Sequence, residues 1–361
     1  MKILALGATG AIGGQLVAAL DPHKHEIHVT SRRALAPTGN VKYIQGNAQD
    51  NAFLFELLRK DWDVIVDFMV YDTPAFRRRI DGLLGAGGQY VFISSARVFA
   101  DAAGLITERS PRLLDVSQDA TFLASDEYAL TKARQEDLLR ASGRGNWTII
   151  RPYITFGDGR LQLGTLEKEG WLYRASKGRS IVFCDDLMGK WTTMTEGADV
   201  ARIIAQILGN PDTLGEDYNI AGRQAITWED VLTLYLDELE AHLGTRPQVV
   251  LQDLDSFCLS ASSVPQVIYD RMYDRRFDPA KIGGLFDLDS LTDCRSGLKT
   301  RLRAQLAGGG FLSMDWRAEA LRDRAAGEHI RLSEISGGKQ KLRYLHHRYS
   351  PRKVIQMMRA Q

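Results

Sequence analysis

Short apolar runs alternate with longer stretches of helical periodicity through the first 150 residues. Ile3, Leu4, Ala5 and Leu6 read as a short buried strand, followed by a glycine-rich turn and a helix over 11–20. Further strands are predicted over 26–30, 41–45, 64–67, 90–94 and 147–151, and helices over 53–59, 76–84 and 128–141. Runs rich in Val and Ile without polar alternation suit strands covered on both faces. Their alternation with helices predicts an α/β fold with a doubly wound parallel sheet. After residue 151 the pattern is less regular. Residues 157–189 read as loops with short elements, 199–208 and 228–243 as helices, and 217–220 as a strand. A smaller, mixed α/β C-terminal lobe is expected there, interleaved with returns to the main sheet around 190–222. The domains expected are therefore 1–160, 161–295 and a C-terminal extension, 296–361.

Composition narrows the class. The chain has 361 residues, 44% of them hydrophobic, and a formal net charge of +1. That length suits two domains, and the near-neutral charge gives no argument for nucleic acid or a membrane. There is no run of 18 apolar residues, so no spanning helix is expected. Met1 and Lys2 lead straight into a strand, so no signal peptide is read. Cys184, Cys258 and Cys294 lie far apart, without metal-ligand spacing, so no metal site is expected and a cytoplasmic location is the simplest reading. The extension departs from this balance. Residues 296–361 hold 14 Lys and Arg against 5 Asp and Glu. Such a segment suits a solvated helical appendage, or one that meets phosphates or an anionic partner. Val354, Ile355, Met357 and Met358 offer an apolar face for docking such a helix.

The first turn carries the first chemical signal. Gly7, Gly10 and Gly13 are spaced G-x-x-G-x-x-G between a strand and a helix. Glycines there let the backbone approach a pyrophosphate, and the helix N-terminus offers free N–H groups and a favourable dipole. The pattern predicts a Rossmann-type dinucleotide site. An NAD-specific site places a carboxylate at the end of the second strand. This chain has Thr30, Ser31, Arg32 and Arg33. Two guanidiniums and a hydroxyl suit a 2′-phosphate, so NADP is favoured over NAD. Asn47, after the third strand, is placed to meet the adenine edge.

The second signal is Tyr128 and Lys132, one helical turn apart on one face. An ammonium beside a phenol favours the phenolate, and such a tyrosine can exchange a proton with an alcohol or carbonyl while hydride moves to or from nicotinamide. Ser95 ends the preceding strand, at the sheet edge where ligands of such folds bind, and its hydroxyl is positioned to hold the reacting oxygen.

Glycine turn, strand-end serine and downstream Tyr-x-x-x-Lys together resemble the extended short-chain dehydrogenase/reductases, the nucleotide-sugar epimerase/dehydratase family. The resemblance continues through Ile150, Arg151, Pro152, Tyr153, Ile154 and on to Arg160, through Tyr218 to Ala221, and through Arg275, Arg276, Asp278 and Lys281. It covers roughly residues 1–290. It implies a nicotinamide cofactor held by Gly7, Thr9, Gly10, Ala11, Ile12, Gly13, Ser31, Arg32, Arg33, Asn47, Phe68, Tyr128, Lys132, Pro152 and Tyr153. It also implies Tyr128 as acid/base, Lys132 on the ribose, and Ser95 on the substrate oxygen. Ala96, Arg97, Ile154 and an Arg at 275 or 276 would face a nucleotide-sugar substrate, in a homodimer.

The departures narrow the reaction. Leu6 stands where the family usually has Thr, and the G-A-T-G form matches its divergent branches. Dehydratases carry an Asp-Glu pair beside the catalytic hydroxyl, whereas Ser95 is followed by Ala96 and Arg97. The epimerase-reductases that make GDP-fucose use a Cys there, and none is present. Ile154 replaces an Asn that binds the nucleotide sugar. A 4-epimerase or 4-ketoreductase is left as the expected activity. The alternatives are a non-catalytic or RNA-binding relative and a reductase of a non-sugar carbonyl.

Overall fold

In the computed structural model, which describes residues 1–21 and 23–350, the chain divides into two compact units. One gathers Met1–Gly157, Thr193–Ala225 and Arg276–Cys294; the other holds Asp158–Thr192, Ile226–Arg275 and the chain from Arg295. Val354, Ile355, Met357 and Met358 lie outside the described residues.

The first unit is built on a seven-stranded sheet. Its first six strands are Lys2–Leu6, Glu26–Ser31, Val41–Gln45, Trp62–Asp67, Gly87–Ile93 and Trp147–Pro152, and the seventh is Glu216–Ile220. Their spatial order is third, second, first, fourth, fifth, sixth, seventh. Every adjacent pair is parallel. The strand order reverses beside the first strand, which puts the crevice for a ligand above its carboxyl end.

Side-chain alternation along each strand divides the core into two layers. Ile3, Ala5, Val29, Val64, Val66 and Ile150 face one side, against Leu16 of the helix Ala11–Ala19 and Val200, Ile203, Ile204 and Ile207 of the helix Gly197–Ile207. Leu4, Leu6, Ile65, Phe92 and Ile149 face the other, against Leu54, Phe76, Leu83 and Leu139. Both faces of the central strands are dry, which is why residues 3–6 and 64–66 read as unbroken apolar runs.

Two local readings differ from expectation. The helix expected over 76–84 is two short helices, Thr73–Arg77 and Ile80–Gly85. Asp72 caps the first by accepting from the Ala75 amide at 2.6 Å, and Pro74 sits in its opening turn. The stretch 157–189 contains a nine-residue helix, Lys168–Ser176, and a buried strand, Ile181–Cys184. That strand pairs in parallel with Val249–Gln252, a partner some 65 residues distant that local pattern does not reveal.

The second unit absorbs the basic stretch as core, so 296–350 is not a detached appendage. Trp316, Ala320, Ile330, Ile335 and Tyr344 form a buried cluster. The helix Trp316–Ala326 also carries Glu319 and Asp323 into the interior, where both bind Arg174. All three cysteines are buried. No helix among the described residues is long and apolar enough to cross a membrane.

Candidate active site

The glycine turn follows from three different steric demands. Gly7 has φ +69°, a conformation that L side chains rarely adopt, and its amide donates to Thr30 Oγ1 at 2.9 Å. A Cβ on Gly13 would stand 2.5 Å from the Ala8 Cα, so only glycine lets the first helix press onto the turn. Gly10 faces open space and is the N-cap of that helix, with no side chain capping it. The free amides of the first turn, at Ala11 and Ile12, are thus left for an anion. Beside the turn is a cleft of about 270 Å³ lined by Gly7, Thr9, Thr30, Ser31, Arg32, Asn47 and Met69, among others. No carboxylate is among its described lining residues. Ser31 Oγ accepts from the Arg33 amide at 3.1 Å, and the Arg32 and Arg33 side chains are exposed. Asn47 is exposed and its Oδ1 accepts from the Gln49 amide at 3.1 Å, closing the loop after the third strand. Phe68 is half-buried against the core above the fourth strand. A left-handed glycine, a bare helix N-terminus and a cleft edged by a guanidinium fit the adenosine and pyrophosphate part of a dinucleotide.

The catalytic candidates gather where the fifth strand ends. Ser95 follows it in extended conformation, nearly buried, with its Oγ accepting from the Arg97 amide at 3.2 Å. Tyr128 opens the helix Tyr128–Arg140, which Glu127 caps through the Ala129 amide. Lys132 lies one turn on and is 2% exposed. Its Nζ donates to the Ile93 carbonyl at 2.8 Å and stands 4.5 Å from the Phe92 ring centre and 5.9 Å from that of Tyr128. Arg97 completes the stitching: it pairs with Glu127 and lies 5.2 Å over the Tyr128 ring. Ser95, Tyr128 and Lys132 are therefore brought to one corner by two cross-links from strand end to helix start. Ala96 is fully buried beside them.

Electrostatics at this corner are set by burial. Desolvation pushes Lys132 down to about 8, while Asp67 and Glu136 act to raise it. Glu136 stays below the ordinary carboxylate range despite burial, because Arg151 and Ser94 bind it. Asp67, at the end of the fourth strand, is raised by complete burial. Neither Asp67, Glu127 nor Glu136 was singled out by motif. The available signals were an aspartate closing the apolar run 62–67 and a glutamate directly before a helix start.

The remaining candidates scatter. Pro152 ends the sixth strand, and Tyr153 is buried with its ring 5.2 Å from that of Phe277. Ile154 is buried in the strand Ile154–Phe156, paired with Met194. Arg275, in the second unit, is fully buried, its Nε 2.9 Å from an Asp270 carboxylate oxygen. Arg276 is half-buried in the first unit, and its carbonyl accepts from the Ile106 amide.

No family model matches the sequence. A curated relative, 2′-dehydrokanamycin reductase of Streptomyces kanamyceticus, is 23% identical over 239 residues, which is 64% of each chain. Chloroplast stem-loop binding protein of 41 kDa b, of Arabidopsis thaliana, is 24% identical over 63% of this chain and 60% of its own. The match thus spans less than two thirds of either relative. Among solved structures, a UDP-glucuronic acid 4-epimerase from Bacillus cereus, in complex with UDP-glucuronic acid and NAD, superposes with a TM-score of 0.64. It is 17% identical, covering 84% of this chain and 99% of its own. The chain thus shares the fold of that epimerase, built on a parallel, doubly wound seven-stranded sheet.

Proposed function

We propose that this chain is a nicotinamide-dependent ketoreductase that reduces a keto group on a sugar, using NADPH. The observation that carries the reading is the joining of Lys132 to the Ile93 carbonyl beside Ser95 and Tyr128, on the same sheet edge as the glycine turn. When bound, the nicotinamide supplies hydride to the carbonyl carbon. Tyr128 gives its phenolic proton to the carbonyl oxygen, so a carbinol forms. Ser95 Oγ–H donates to that oxygen and fixes its direction. The Lys132 cation stabilises the negative charge that appears on Tyr128, which then recovers a proton from solvent.

Arg32 at the cleft, without a competing carboxylate, supports NADPH over NADH. Arg275 is held by Asp270 and Ile154 offers no polar atom, which argues against a nucleotide tail as the main handle on the substrate. The relative named 2′-dehydrokanamycin reductase carries a reduction in its name, which supports the reductase reading. A second reading is a 4-epimerase of a UDP-sugar, favoured by the fold neighbour that carries UDP-glucuronic acid and NAD. Purified protein given NADPH or NADH and a panel of free and nucleotide-linked keto-sugars separates the two. Steady NADPH consumption that is lost in Tyr128→Phe is expected. Interconversion of a UDP-sugar by retained cofactor, with no net oxidation, would replace the reductase with the epimerase. RNA binding with unchanged turnover in Tyr128→Phe would remove both.

A further inference from the structure

A buried ammonium needs a counter-charge, and the two carboxylates that face Lys132 are in unequal positions. Glu136, one turn further along the same helix, is committed elsewhere. It binds Arg151 at 2.7 and 2.9 Å, Arg140 at 3.3 Å, Arg112 at 3.6 Å and the Ser94 hydroxyl at 2.6 Å. Asp67 has no Lys or Arg within ion-pair distance among the described residues. Its hydrogen bonds come from neutral donors: the Met69 amide at 2.9 Å, Tyr90 Oη at 2.8 Å and Tyr71 Oη at 3.4 Å. Yet it is fully buried, and it pairs in register with Phe92, the residue over whose ring the Lys132 ammonium sits at 4.5 Å. Neighbouring strands lie ~5 Å apart, so carboxylate and ammonium share one dry corner of the sheet.

We propose that Asp67 is a positioning residue, the buried counter-charge that keeps Lys132 cationic at neutral pH and so keeps a positive charge beside Tyr128. This rests on the catalytic reading of Lys132 and Tyr128 given above. Tyr90 and Tyr71 hold the carboxylate by donating to it. Glu136, committed to Arg151, also acts to raise Lys132, and the remaining groups around the pair carry positive or no charge. Arg97 stacks on Tyr128 from the strand-end turn, Arg79 lies 4.6 Å over the Tyr71 ring, and the Ile93 carbonyl is a neutral acceptor. Burial has already brought Lys132 down to about 8. Losing one nearby negative charge in a low-dielectric setting lowers it by about one unit or more.

Asp67→Asn keeps the shape and removes the charge. The test titrates Lys132 by NMR in reductively methylated protein, its signal identified by its absence in Lys132→Met. The expected result is a midpoint lower by about one unit or more, with the alkaline limb of kcat/KM displaced equally. Activity at pH 8.5 would then fall about tenfold while activity at pH 6.5 stays near wild type, and Asp67→Glu would restore part of the shift. An unchanged Lys132 midpoint in Asp67→Asn overturns the proposal. Should that variant not fold, infrared spectra of Lys132→Met give the reciprocal reading. Without the cation, the buried Asp67 takes up a proton more readily and a protonated-carboxyl band appears; no new band overturns the pairing. Neither titration needs a substrate. A shifted midpoint with full turnover by Tyr128→Phe upholds the pair and sinks the catalytic reading instead.

Discussion

The two units each bury cations, and they treat them in opposite ways. In the second unit Arg174 is fully buried and saturated. It meets Glu319 at 2.8 Å, Asp323 at 2.7 Å, Glu328 at 2.7 Å and the Ser180 carbonyl at 2.7 Å. Arg179 joins the same carboxylates, and Tyr344 donates to Asp323. In the first unit Lys132 has a single hydrogen bond, to a main-chain carbonyl, and its counter-charge stands a strand away. A saturated guanidinium fixes a fold, since all three Arg174 nitrogens are engaged by carboxylates or a main-chain carbonyl. An under-coordinated ammonium has two N–H donors to spare for a ribose or a developing phenolate. The contrast separates a burial that fixes structure from one that the proposed ketoreductase reading puts to chemical use.

Four measurements break or sharpen that contrast. The largest effect is expected at the proposed catalytic corner: Tyr128→Phe loses about 10²–10⁴-fold in kcat, as for removal of a general acid, with a melting temperature close to wild type. Turnover within threefold of wild type would show the corner to be ordinary packing. Next comes Arg174→Met, which strands Glu319 and Asp323 without their principal partner and costs about 3–5 kcal/mol in denaturant unfolding. Lys132→Met is the counterpart: Asp67, left without its counter-charge, takes up a proton instead of staying buried and charged, and a desolvated cation is removed, so the loss at pH 7 is smaller than that of Arg174→Met. Equal losses in the two variants would erase the distinction.

The third measurement follows stability against pH. Lys132 is lowered to about 8 in the folded chain from an ordinary 10.5, so across that window the unfolded chain binds more protons than the folded one. Stability therefore rises between pH 8 and 10.5, by up to about 3 kcal/mol relative to Lys132→Met, whose curve lacks the term. A wild-type curve parallel to that of the variant would refute the burial account. The smallest effect is cofactor choice. Arg32→Asp is expected to raise the KM for NADPH about tenfold and to leave that for NADH unchanged or lower. Equal changes for both cofactors would mean that Arg32 does not read the 2′-phosphate.

Much of the first unit was legible because its signals are local. Apolar runs between residues 3 and 151 marked the strands, since a strand buried on both faces must be apolar throughout. The order of glycine turn, strand-end Ser95 and Tyr128-x-x-x-Lys132 placed the candidate corner. The second unit was far less legible. The strand Ile181–Cys184 gains its partner from Val249–Gln252, and the helix Trp316–Ala326 enters the core through Glu319 and Asp323. Polar residues buried by pairing defeat a reading based on hydrophobic periodicity, so a basic stretch looked like a solvated extension.

By itself, the sequence determined the alternating architecture, the glycine turn and the identity of the Ser, Tyr and Lys that meet at the fifth strand. These depend on spacing within a few residues and on side-chain chemistry. Only the tertiary structure decided how their charges are answered. Asp67 and Lys132 stand 65 positions apart, and Arg174 and Glu319 stand 145 apart. Whether a buried charge is saturated or left poised depends on which strands and helices fold against one another, and no local pattern carries that information.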